Sequence, residues 1–127
     1  MIRFPHFVET NNMPALLEYG DARDPYLFEY IRQYSPYQAV RDGVAYPAVM
    51  LTSGDLDTRV PPLQARRMAA RLQAATASRL PVILRYDPRG GHAAGRGRPL
   101  SLRVEDSATE LTFMASQLGL GEGPHEE

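Results

Sequence analysis

Residues 46–63 read YPAVMLTSGDLDTRVPPL, and this stretch decides the fold. Tyr46 to Gly54 is an apolar run without polar alternation, the pattern of a parallel strand covered on both faces. Gly54 to Pro62 then carries two acids, a threonine and an arginine across a turn. Leu63 to Ala75 follows with helical spacing: Ala65, Met68, Ala69, Leu72 and Ala75 form one stripe, and Arg66, Arg67 and Arg71 lie off it on what reads as a solvated face. A strand therefore hands over to a helix through a polar loop. Leu80 to Asp87, LPVILRYD, repeats the buried-strand pattern and leads into a second unusual loop, DPRGGHAAGRGRP.

Outward from this unit the punctuation is clear. Asp24 can cap a helix that starts at Pro25, where a missing N–H costs nothing, and Leu27, Tyr30, Ile31 and Tyr34 keep helical spacing until Pro36. The tyrosines at 26, 30, 34 and 37 read as core residues. Gln38 to Ala45 is a polar connection. Ser101 to Gly119 is a further helix with Val104, Ala108, Leu111, Met114, Ala115 and Leu118 on its stripe and Gly119 at its C-cap side. The first 24 residues read as loop with a turn of helix at Ala15–Tyr19, and the tail 121–127 as disordered. Residues 1–120 thus form one partial domain. The order helix, strand, helix, strand, helix argues for an α/β layer with a short parallel sheet and flanking helices.

Composition removes several function classes. The chain has 127 residues, 43% of them hydrophobic, and a net charge of −1, which gives no reason to expect nucleic acid. All 14 basic residues are arginine, and there is no cysteine, so disulfides and thiolate chemistry are excluded. No run approaches the ~18 apolar residues of a membrane span. The N-terminus lacks a signal-peptide pattern, so the location reads as cytoplasmic. No third carboxylate or histidine has metal-ligand spacing, and no cofactor or metal is expected.

In open α/β sheets, catalytic groups gather beyond the carboxyl ends of the strands. The loop with Asp57 lies at that end of the first strand and the loop with His92 at that end of the second. Adjacent parallel strands are about 4.8 Å apart, so a carboxylate of one loop can reach the imidazole of the other. That is an orienting acid–base pair. Asp55 reads as a structural residue of the turn.

YSPYQAV (34–40), YPAVMLTSGDLDTRVPPLQARRMAARLQ (46–73) and PVILRYDPRGGHAAGRG (81–97) resemble the C-terminal part of the catalytic domain of prolyl oligopeptidase-family serine peptidases, which are α/β-hydrolases. The resemblance implies the C-terminal portion of an α/β-hydrolase fold, with Asp57 as triad acid and His92 as general base. It implies further that Arg59 binds a backbone carbonyl of the peptide substrate, and that Val60 and Tyr19 wall the pocket for the residue before the cleaved bond. Departures accompany it. No Gly-x-Ser-x-Gly elbow occurs anywhere, Ala15 stands where the family often has tryptophan, and Ala93 replaces a frequent glycine. The expectation is a C-terminal fragment of a peptidase for short peptides, inactive alone for want of its serine. Its partner is the N-terminal part of the hydrolase domain with the propeller. The alternative is a stand-alone, non-catalytic module that forms a homodimer or binds a partner through its sheet edge.

Overall fold

The computed structural model describes residues 17–92 and 98–120. Two compact units divide at His92, and each is described by itself. The first holds helices α1 (Pro25–Gln33) and α2 (Pro36–Ala39), strand β1 (Val49–Gly54), helix α3 (Leu63–Ala75) and strand β2 (Val82–Asp87). Helix α4 (Leu100–Gln117) lies in the second. Among the described residues no helix is long and apolar enough to cross a membrane.

Strands β1 and β2 pair in parallel, with Val49 opposite Val82 and Gly54 opposite Asp87. Both start later than the apolar runs suggest, and for one reason. Pro47 and Pro81 have no N–H for a ladder, so each strand begins just beyond its proline. Val49 N–H donates to the Pro81 carbonyl at 2.9 Å and opens the pairing. Val40, Leu72 and Ala75 form a buried cluster, flanked by Tyr46, Val49, Met68 and Val82, so one sheet face is closed by α3. The small residues Ala65, Ala69 and Ala75 let the helix approach closely, and all are buried.

The connection before β1 is tied to the C-terminal end of α3. Gly43 N–H donates to Ala75 O at 2.8 Å, and Ala77 N–H to Val44 O at 3.0 Å. Arg71 reaches the Val40 carbonyl at 2.8 Å and Asp42 at 2.5 Å. The arginines of α3 are therefore not simply a solvated face. Arg66 and Arg71 each bridge to another segment, because a helix packed on a sheet brings its flanks within reach of the loops at both ends.

Helix α1 begins as its sequence predicts. The Asp24 carboxylate accepts N–H bonds from Tyr26 and Leu27 at 2.8 and 3.2 Å, above Pro25 at the first helical position. Pro36 ends that helix but also starts α2, for which its fixed φ is suited. The tyrosines depart from the sequence pattern. Ile31 takes the buried line of α1 at 0% exposure, and Tyr26, Tyr30 and Tyr34 turn outward at 82, 63 and 48%. Tyr30 and Tyr34 meet edge to face, 5.7 Å between centroids.

In the second unit α4 starts one residue earlier than expected and ends at Gln117, with Leu118 as its C-cap and Gly119 just beyond at φ 69°. Leu120 N–H closes the end on Ala115 O at 2.8 Å, a C-terminal lock that requires the left-handed residue. Arg98 pairs with Asp106 at 3.5 Å. The apolar stripe of α4 has the predicted spacing, and none of its residues is buried. The expectations for residues 1–16, for the tail 121–127 and for Ala93 lie outside the described residues.

Candidate acid–base site

The site grows out of a close approach of two backbones. At the end of β1, a side chain on Gly54 would meet the Gly90 carbonyl oxygen at 2.2 Å, so only hydrogen fits. That contact lets the two loops bond directly past the last ladder pair. Asp55 N–H donates to Asp87 O and Leu56 N–H to Gly90 O, each at 2.9 Å. Gly90 N–H turns back on Asp87 O at 3.2 Å, and Arg89 N–H on the Asp87 carboxylate at 2.9 Å. The carboxyl ends of both strands are thereby held side by side.

Asp57 and His92 meet across this junction. His92 Nδ1 lies 3.0 Å from Asp57 Oδ2 and 3.2 Å from Oδ1. Asp57 Oδ1 also accepts the backbone N–H groups of Val60 at 2.7 Å and Arg59 at 2.9 Å. The acid thus caps its own turn with one oxygen and holds the imidazole with the other. Its side chain is 13% exposed and that of His92 44%. Burial pushes the Asp57 carboxyl up, but the hydrogen bonds from Val60, His92 and Arg59 favour the charged form and leave it below its usual value. An ionised acid on Nδ1 orients the ring and leaves Nε2 as the nitrogen that can take a proton.

Four of the five residues singled out in the sequence come together here. Arg59 and Val60 follow Asp57 on the same turn, Arg59 exposed and Val60 half-buried. Tyr19 does not share that turn. It closes a helical stretch at 17–19 ahead of Gly20, and its electrostatic neighbours are Glu18 and Tyr34. A hydrogen bond with Glu18 raises its phenol above the ordinary range.

A cluster beside the pair has no counterpart in any local sequence pattern. The Tyr86 hydroxyl donates to Asp55 Oδ1 and accepts from Arg66 Nη2. Arg66 also lies 3.4 Å from Asp55 and stacks its guanidinium 4.4 Å above the Tyr86 ring centroid. The Asp55 side chain bridges to β2 and α3, where the sequence reading has it holding the loop turn. The link is invisible to local pattern, which puts Arg66 on a solvated face and gives Tyr86 no role, because 31 and 20 residues separate the hydroxyl from Asp55 and Arg66. Among the described residues no group of three or more metal-ligating side chains occurs.

The prolyl oligopeptidase family profile matches residues 8–121. The chain belongs to that family. It is 36% identical to a prolyl endopeptidase of Elizabethkingia miricola over 121 residues, covering 94% of this chain and 17% of the relative. Prolyl oligopeptidase A of Amanita bisporigera is 34% identical, with 94% of this chain and 15% of that one covered. A solved structure from a study of two prolyl endopeptidases superposes with a TM-score of 0.75 at 32% identity, covering 83% of this chain and 15% of that one. The fold is accordingly that of a portion of the α/β-hydrolase domain of prolyl oligopeptidases. The chain spans about a sixth of the length of the relatives it matches.

Proposed function

We propose that the chain supplies the acid and base of a serine-peptidase triad, as the C-terminal part of a prolyl oligopeptidase-type enzyme that hydrolyses short peptides. Residues 1–120 form a partial hydrolase domain, and 121–127 lie outside it as a tail. In the assembled enzyme a serine from the remaining polypeptide attacks the peptide carbonyl. His92 takes the serine proton at Nε2 and returns it to the leaving amine, and Asp57 stabilises the imidazolium through Nδ1. Arg59 binds a substrate carbonyl, and Val60 and Tyr19 line the pocket. The observation that carries this reading is the Asp57–His92 contact at 3.0 Å, with a carboxylate held ionised by two backbone N–H groups. No Gly-x-Ser-x-Gly is available in these 127 residues, so the chain alone turns nothing over.

The test compares this chain with the enzyme completed by a family hydrolase and propeller portion, on a fluorogenic peptide with proline before the reporter. The completed enzyme should cleave it, and Asp57→Asn should lower kcat on the order of 10⁴-fold. The reading fails if Asp57→Asn stays within tenfold of the parent, or if the isolated chain cleaves the peptide. A second reading rests on the sheet. Among the described residues, β1 and β2 pair only with each other, which leaves two outer edges able to receive a strand from a second copy. Under that reading the chain is a non-catalytic module, and light scattering returns a dimer with no peptidase partner required.

A further inference from the structure

We propose that Arg66, Tyr86 and Asp55 form a positioning device for the Asp57–His92 pair; the inference rests on the reading of that pair as triad acid and base. The three side chains come from three elements: the acid-bearing loop, the end of the base-bearing strand and helix α3. Asp55 precedes the triad acid by two residues, and Tyr86 stands six residues before His92. The Tyr86 hydroxyl is the link, because it has one proton to give and a lone pair to accept with. It gives the proton to Asp55 and accepts from Arg66.

Arg66 completes the frame in two ways. Its guanidinium lies over the ring of Tyr86 and reaches the same Asp55 oxygen that the hydroxyl serves. The planar fork suits both tasks at once, which a lysine could not do. The loop bearing Asp57 is thus tied to the strand bearing the base and also to α3, whose inner face is buried against the sheet. The backbone bonds Asp55 N–H to Asp87 O and Leu56 N–H to Gly90 O set the distance between the two loops. The cluster adds resistance to sliding and tilting, the motions that would lengthen the contact between Asp57 and His92 Nδ1. Its members touch neither reacting atom, so they act only through the pair.

The His92 tautomer reports the positioning directly, in the full 127-residue chain and without turnover. A carboxylate on Nδ1 holds the proton there, whereas a solvated imidazole favours Nε2–H. Long-range nitrogen–proton NMR on histidine-labelled protein, at a pH well above the ordinary imidazole range, reads the ratio of the two forms. Free N-acetylhistidine amide in the same buffer serves as the solvated reference. The parent should show His92 mainly as Nδ1–H. Tyr86→Phe should lower the Nδ1–H to Nε2–H ratio about two- to fivefold, the scale of a part-exposed hydrogen-bonded ion pair, with the circular dichroism spectrum unchanged. Arg66→Lys should give an intermediate ratio. Arg71→Ala breaks a distant tie to Asp42 and Val40 and should leave the ratio unmoved while lowering stability. If Tyr86→Phe loses its fold, Arg66→Lys decides alone, since its site is half-exposed and outside the core. An unchanged ratio in folded Tyr86→Phe or, in that event, in Arg66→Lys overturns the positioning role and leaves the pair intact. A parent chain with no Nδ1–H preference overturns the pair itself, and the positioning role with it.

Discussion

Gly54→Ala is the sharpest test of how the two loops are joined. A Cβ at this position would stand 2.2 Å from the Gly90 oxygen, 2.4 Å from its carbonyl carbon and 2.9 Å from its Cα. All three are backbone atoms, so no side chain can swing aside. Reaching even 3.0 Å from the oxygen requires the loops to part by about 0.8 Å. The Leu56 N–H to Gly90 O bond at 2.9 Å lies at that point and cannot survive the shift intact. Overpacking of this kind costs about 1–3 kcal/mol, and a lost hydrogen bond adds about 1 kcal/mol. We expect Gly54→Ala to destabilise the chain by about 2–4 kcal/mol in urea unfolding with an unchanged m-value. Gly43→Ala is the control. Gly43 has φ 77° with nothing within 4 Å of its missing Cβ, so only conformational strain of about 1 kcal/mol is expected. A Gly54→Ala chain within about 0.5 kcal/mol of the parent would refute the close approach.

The depressed Asp57 carboxyl makes stability depend on acid. Its charge stabilises the fold above the ordinary carboxylate value of about 3.9, and the contribution disappears as the pH drops through the lower folded value. Asp57→Asn should therefore flatten part of the fall in urea midpoint below about pH 4, and parallel profiles for the two proteins would contradict it. Asp21, lowered mainly by hydrogen bonds from Arg23, should supply a separate share that Asp21→Asn removes. In the core, Leu72 is 5% exposed between Val40 and the strands, so Leu72→Ala should cost about 2–5 kcal/mol in calorimetric or denaturant unfolding. A loss under about 1 kcal/mol would mean that α3 does not close this face.

Much of the local structure was legible because its causes are local. The bounds of α3 follow from the apolar stripe between Pro62 and Thr76, and the start of α1 follows from Asp24 and Pro25. The C-terminal lock of α4 follows from Gly119. Strand starts were misread by two or three residues because hydropathy scores Pro47 and Pro81 with their neighbours, whereas the ladder needs their absent N–H groups. The outward tyrosines of α1 were misread for a different reason. Spacing identifies a stripe, but only packing selects which part of it is covered, and Ile31 takes that place.

The acid and the base were readable as candidates by themselves. Strand–loop–helix order puts Asp57 and His92 at the same end of neighbouring parallel strands, and the family resemblance implies the same two residues. What the tertiary structure alone decided is how they are held. The contact of Gly54 with Gly90 joins residues 36 positions apart, and the Tyr86 link joins Asp55 to Arg66 across a helix and a strand. Sequence patterns record preferences over a few residues, set by backbone sterics and hydrogen bonding. Contacts between distant segments exist only once the sheet and helix have fixed where each backbone runs.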